Sequence, residues 1–247
     1  MKYFTAFRLA IQFMTRIPVG NPPFKEWIWG LSTVFFPWVG LLIGGLLLFV
    51  HWALIQTSLS VELQAAILLL SGVVISGGLH LDGLADTADA WMSGKRNQEA
   101  LAIMSDSHIG TGGVLALIGA VLMKWLLLVE LMSQAQEWML WLLFMPMLAR
   151  WTVLPLFLTT HSAKTEGLAA DLQRRMVLQP FAISLILATA LLAFFVLWAL
   201  LLVIGFLVVF RAWILARFDG FAGDHLGAMI EFSELLILGL AVLVLSI

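Results

Sequence analysis

The run from Pro180 to Arg217 is about 38 residues long and almost wholly apolar; its only charges are Arg211 and the terminal Arg217. At about 1.5 Å per residue, one helix of that length would measure about 57 Å, nearly twice the roughly 30 Å hydrocarbon core of a bilayer. Such a run is expected to cross a membrane twice, as 180–197 and 199–217, with a tight reversal near Trp198 that no polar turn marks. Other apolar runs lie at 30–55, 63–79, 113–133, 138–159 and 234–247, the last short enough to be partial. Together they predict an all-α, polytopic membrane protein of about seven spans, or six if the last does not cross. No linker, repeat or soluble domain interrupts residues 1–247, so a single membrane-embedded domain is expected. Composition agrees: 62% of the residues are hydrophobic and 11% charged, against about half and a quarter in soluble domains. Cysteine is absent, which excludes disulfides and thiolate chemistry. A net charge of −2 with no basic patch gives no sign of a nucleic-acid partner.

The N-terminal segment "MKYFTAFRLAIQFMTRIPVG" is broken by Arg8 and Gln12 and reads as an amphipathic interfacial helix rather than a signal peptide. Its expected apolar side is Tyr3, Phe4, Phe7, Ile11 and Met14. Orientation follows from Lys and Arg. Lys2, Arg8, Arg16 and Lys25 precede the first span, and Lys95 and Arg96 lie between the second and third. Lys164, Arg174 and Arg175 lie between the fourth and fifth, and Arg217 follows the sixth. The alternate loops "QTSLSVE" and "SQAQE" carry no Lys or Arg. The N-terminus is therefore expected on the cytoplasmic side, together with most of the acids.

The acids are patterned. Asp82, Asp86 and Asp89, in "HLDGLADTADAW", are spaced i, i+4, i+7 and share one helical face. Like charges so placed repel, and ionised carboxylates near a membrane are costly. A divalent cation relieves both costs, and a few hard oxygen ligands suit Mg²⁺. Gly83, Ala85 and Ala90 are expected to leave room beside the carboxylates. His80 precedes the group. In "MSDSHIGTGG", Asp106 and His108 lead into Gly110 and Gly112, a glycine-rich entry to a helix that offers N–H groups to an anion. In "RFDGFAGDHLGAMIEFSELL", Asp224, Glu231 and Glu234 form a second acidic series, with Arg217 at its edge. Arg150 lies inside an apolar span, where it is expected either to hold a phosphate bidentately or to pair with an acid. Lys124 is also deep and suggests no role. Two acidic helices, a glycine turn and an arginine at one membrane face point to metal-assisted phosphoryl transfer.

At these residues the chain resembles the cobalamin synthase family, the adenosylcobinamide-GDP ribazoletransferases. The resemblance runs in order through "QFMTRIPVG", "GGLHLDGLADTADAW", "MSDSHIGTGG" and "GDHLGAMIEFSE", and covers nearly the full length. It departs mildly at Ala90, where glycine is expected. The resemblance implies a Mg²⁺-dependent enzyme of the bacterial inner membrane, with its active site facing the cytoplasm. Such an enzyme joins adenosylcobinamide-GDP to α-ribazole, or its 5′-phosphate, and releases GMP. Asp82, Asp86, Asp89 and Asp224 become the expected metal ligands, and with Asp106 and His108 the catalytic set. Arg16, His80, Gly110, Gly112, Arg150, Arg217, Glu231 and Glu234 become substrate-binding candidates. A homo-oligomer is compatible with this reading. Two rivals remain: a CDP-alcohol phosphotransferase, whose pattern wants an Ala-Arg that "DGLADTADAW" lacks, and a cation transporter, for which Lys124 and Arg150 are the deep charges.

Overall fold

A computed structural model describes residues 1–134 and 137–246. Ala135 and Gln136 of the expected "SQAQE" loop, and Ile247 at the end of the last expected span, lie outside the described residues. The described residues form helices joined by short turns, with one isolated bridge, Ser162 to Phe221, and no strand. In chain order the helices are α1 (Lys2–Met14), α2 (Glu26–Ser32), α3 (Phe36–Leu54), α4 (Val61–Ser76), α5 (Leu79–Met92) and α6 (Asn97–Ile103). They continue as α7 (Thr111–Met132), α8 (Trp138–Trp151), α9 (Val153–Thr159), α10 (Leu168–Arg175), α11 (Leu178–Phe218) and α12 (Gly223–Leu245). A 3₁₀ turn, Thr33–Phe35, joins α2 to α3.

Five stretches are long and apolar enough to cross a membrane, and six when the bent pair α4–α5 is taken as one span. The chain is thus an all-α multi-pass membrane protein, and α11, 41 residues long, enters this count only once. Two expected boundaries change. The run 63–79 does not continue as one helix: α4 ends at Ser76, and α5 leaves at 88° to it. Gly77 and Gly78 make the corner with φ of 66° and 72°, a left-handed pair that side chains with a Cβ resist. The last span is longer than expected, because α12 already begins at Gly223. Glu231 and Glu234 therefore sit well inside a spanning helix rather than at its entrance.

Within α11 the backbone leaves helical geometry at Val196, with φ −140° and ψ 47°. Before the break, Ser184 bonds the Val34 carbonyl and Phe195 stacks on Phe144 at 4.8 Å. After it, Arg211 bonds the Thr159 carbonyl, and Phe218 lies 4.3 Å from His225. In a straight helix Ser184 and Arg211 would be about 40 Å apart. Val34 and Thr159, however, lie toward the same end of the antiparallel pair α3 and α8, so the chain turns back at Val196.

Helix packing relies on glycine. A Cβ on Gly40 would lie 2.2 Å from the Pro146 carbonyl oxygen, and one on Gly44 would lie 2.1 Å from that of Leu143. This G-x-x-x-G face lets α3 and α8 touch backbone to backbone, the usual device where apolar burial gives no drive in lipid. The N-terminal helix packs differently from the expected face. Ala6, Leu9, Ala10, Ile11 and Met14 are buried, whereas Tyr3 and Phe4 are exposed. The small residues allow close approach to the bundle, and the aromatic pair is left outward.

Candidate active site

The first acidic series lies on α5 as its spacing predicts, and α5 packs tightly along α12. A Cβ on Gly83 would meet the Asp224 carbonyl oxygen at 2.6 Å, and one on Gly227 would meet that of His80 at 3.0 Å. The small residues beside the carboxylates therefore do not leave open room, as the sequence suggested. Gly83, Ala85 and Ala90 are all buried, and at Gly83 the neighbouring backbone fills the space. The result is useful in another way. It brings Asp224 at the start of α12 to Asp86, which is half-buried and also lies within the electrostatic reach of Asp82, Asp89 and Lys164. Four carboxylates from two helices thus gather at one end of the bundle.

Asp89 has a partner within the protein. Its Oδ2 accepts from the Gly110 N–H at 2.7 Å and its Oδ1 from the Gly113 N–H at 2.8 Å. The glycine-rich entry to α7 does bind an anion, and that anion is Asp89. Gly112 is part of the same close approach, since a Cβ there would lie 3.0 Å from Asp89 Oδ1. Asp106 and His108 pair with each other at 2.7 Å on the exposed turn before α7. The hydrogen bonds from His108 hold the Asp106 carboxyl below its usual range. Arg16 is exposed, with its side chain over Gly77 at the α4–α5 corner. Arg217 donates to the Trp91 carbonyl at 2.8 Å, at the far end of α5.

The remaining candidates form a separate group, deeper in the bundle. Lys124 Nζ lies 2.6 Å from Glu231 Oε2 and 2.5 Å from Glu234 Oε2. Arg150 Nη1 lies 3.0 Å from the other oxygen of Glu234, and its Nη2 lies 3.4 Å from His80 Nδ1. All these side chains are buried or nearly so. Two cations face two anions, so the group is close to neutral, as buried charge in a membrane requires. Asp224 and Glu231, expected in one site, are seven residues apart on one helix, about 10.5 Å along its axis. The first sits at the mouth and the second is engaged by Lys124.

Two residues were given no site role from the sequence. Lys124 read as a deep cation that could snorkel or pair with an acid, and the fold supplies two carboxylate partners, Glu231 and Glu234. Lys164, in the loop between α9 and α10, lies 3.8 Å from Asp224 and donates to Ser105 at 3.0 Å. Its loop is pinned to the α11–α12 connection: Ala163 N–H donates to the Phe221 carbonyl, and Phe221 N–H to that of His161. Between this loop, α10, α12 and the start of α5 lies a cavity of about 280 Å³, bordered by His80, Lys164, Glu166 and Asp224.

Among the described residues no three carboxylate or histidine side chains converge as a ready-made metal centre. The donor set nonetheless fits Mg²⁺. It offers hard oxygens only, and Mg²⁺ is commonly held by one or two carboxylates, with water and substrate phosphates completing the shell.

A bundle of spanning helices that carries a carboxylate cluster and a bordering cavity at one end defines a membrane-embedded enzyme. Residues 6–242 match the family described as cobalamin-5-phosphate synthase. The chain belongs to that family, whose members are transferases of cobalamin biosynthesis. It is 38% identical over 241 residues to an adenosylcobinamide-GDP ribazoletransferase of Pseudomonas fluorescens strain Pf0-1, covering 94% of this chain and 97% of the relative. It is 34% identical over 248 residues to the enzyme of that name from Clostridioides difficile strain 630, covering 94% and 95%. No solved structure matches the chain.

Proposed function

We propose that this chain joins adenosylcobinamide-GDP to α-ribazole, or its 5′-phosphate, at the cytoplasmic face of a bacterial inner membrane, and releases GMP. The observation that carries the proposal is the close α5–α12 contact at Gly83, which sets Asp86 and Asp224 within electrostatic reach of each other beside the cavity that Asp224 borders. The one-sided distribution of Lys and Arg supports the orientation.

In this reading a ribazole hydroxyl oxygen attacks the phosphorus attached to cobinamide. The new P–O bond forms as the bond to the GMP phosphate oxygen breaks, and GMP departs with that oxygen. Asp224, on the cavity wall, takes the hydroxyl proton. Asp82 and Asp86 would hold Mg²⁺, with Asp89 adding charge while it fixes the start of α7. When bound, Mg²⁺ neutralises the pyrophosphate and the developing charge. Lys164 adds a positive charge on the same side. Asp106 and His108 border the α7 entrance, and Arg16 flanks the α4–α5 corner, so that both can meet the charged ends of large substrates. His80, Arg150, Glu231 and Glu234 are given a positioning role, because their polar groups are spent on one another beneath the carboxylates.

The test is incubation of purified membranes with adenosylcobinamide-GDP and α-ribazole, following GMP with and without Mg²⁺. GMP release that requires both the riboside and Mg²⁺ is expected. Release without riboside, or unaffected by chelation, contradicts the proposal.

A further inference from the structure

We infer that the cavity of about 280 Å³ between α1, α10 and α12 is the subsite for the base of the acceptor nucleoside, rather than for the guanosine end of the donor. The inference rests on the transferase reading above and assigns its two nucleosides to different places. The cavity falls just below the usual range of ligand pockets, roughly 300 to 1,000 Å³. That is room for one nucleoside and far too little for a corrinoid ring.

The chemistry of the walls makes the choice. One side is aromatic and aliphatic, with Phe13, Met14, Phe36 and Ile230. Phe13, half-buried, stacks on the fully buried Phe36 at 5.8 Å, so its ring is held in place at the cavity wall. A dimethylated benzimidazole has an apolar edge and suits such a wall. Guanine carries donors and acceptors around its edge, and each one left without a partner in a buried place is costly. The polar lining consists of Ser162, Lys164, Glu166 and Asp224, with the buried His80 beneath them. These suit a ribose, whose hydroxyls both donate and accept. Asp224 belongs both to this cavity and to the carboxylate cluster. A riboside with its base against Phe13 would therefore present its sugar to the reacting centre. The loop that carries Lys164 is held by the paired backbone bonds at Phe221, so the polar wall is as fixed as the apolar one.

Two variants test this by changing the cavity in opposite senses. Ala169→Leu, on α10 outside the spans, adds volume to the lining. The KM for α-ribazole is expected to rise about 10-fold or more, with the rise confined to the riboside. Phe13→Ala removes volume. It is expected to shift the ratio of kcat/KM between a naphthimidazole riboside and α-ribazole toward the larger base, by about 10-fold. If either variant instead raises the KM for adenosylcobinamide-GDP alone, the cavity holds the donor and the inference fails. Unchanged constants for both substrates in active variants also overturn it. Should Ala169→Leu fail to fold, the preference of Phe13→Ala decides. Absence of GMP release from the unmodified protein would sink the transferase reading itself, which is a different result from a KM change in the wrong substrate.

Discussion

Arg150 of α8 and Glu234 of α12 form a buried ion pair at 3.0 Å, and Lys124 holds the other oxygen of the same carboxylate. An intramembrane arginine that could by sequence either hold a phosphate or pair with an acid is thus committed to a carboxylate four helices later in the chain. Removing one member leaves an uncompensated buried charge, which typically costs about 3–5 kcal/mol. Arg150→Met and Glu234→Met should each lower thermal stability in detergent by about that amount. The double variant leaves Lys124 with Glu231, one charge against one, and should recover a substantial part of the loss. Additive losses in the double-mutant cycle would mean that the pair carries no coupling.

Gly83 has no space for a side chain. Gly83→Ala places a methyl group 2.6 Å from the Asp224 carbonyl oxygen, and α5 has to move from α12. Overpacking of this kind costs about 1–3 kcal/mol, and here it also separates Asp86 from Asp224. Activity should therefore fall more than stability. Wild-type turnover in this variant would show that the Asp86–Asp224 approach is not needed.

The three aspartates of α5 should not behave alike. Asp89→Asn keeps one acceptor oxygen where two backbone N–H groups now bond, so stability should fall by about 1 kcal/mol, the scale of a lost helix cap. Asp82→Asn and Asp86→Asn should leave stability unchanged or slightly raised, since like-charge repulsion is relieved. Turnover should fall by about 100-fold or more in both. Measurement of GMP release across a Mg²⁺ titration, beside thermal melts, separates the two behaviours. Normal turnover in both would remove the metal site.

Asp106 supplies a pH prediction. His108 holds its carboxyl below the ordinary value of about 4. The stabilisation that this carboxylate gives to the turn before α7 is complete above that range. It is lost only as the pH falls through the lower, folded-state value. Asp106→Asn should therefore remove the change in stability that accompanies titration of this carboxyl below about pH 4. Acid melts of Asp106→Asn identical to those of the parent would contradict the assignment.

Orientation can be checked directly because the chain has no cysteine. Lys95→Cys lies in the turn between α5 and α6, on the side rich in Lys and Arg. A membrane-impermeant thiol reagent should reach it in inside-out vesicles and not in intact cells. Labelling in intact cells would place the carboxylates outside.

Apolar length alone was enough to announce a polytopic helical membrane protein, because a 38-residue run cannot lie inside one bilayer crossing. The i, i+4, i+7 aspartates likewise fixed a shared helical face, since helical period is a local property. Long-range approach was not legible. The Gly77–Gly78 corner, the contact of Gly83 with α12 and the G-x-x-x-G face of α3 all depend on what lies opposite each glycine. A glycine in the sequence does not say whether it faces a backbone, a ligand or lipid. For the same reason Asp89 read as a metal ligand and the glycine turn as a substrate contact, whereas folding joins the two to each other. Charges were the least legible of all. Lys124, Arg150, Glu231 and Glu234 stand far apart in the chain, and in a low-dielectric interior each must find an opposite charge. Only the packing of α7, α8 and α12 decides which one.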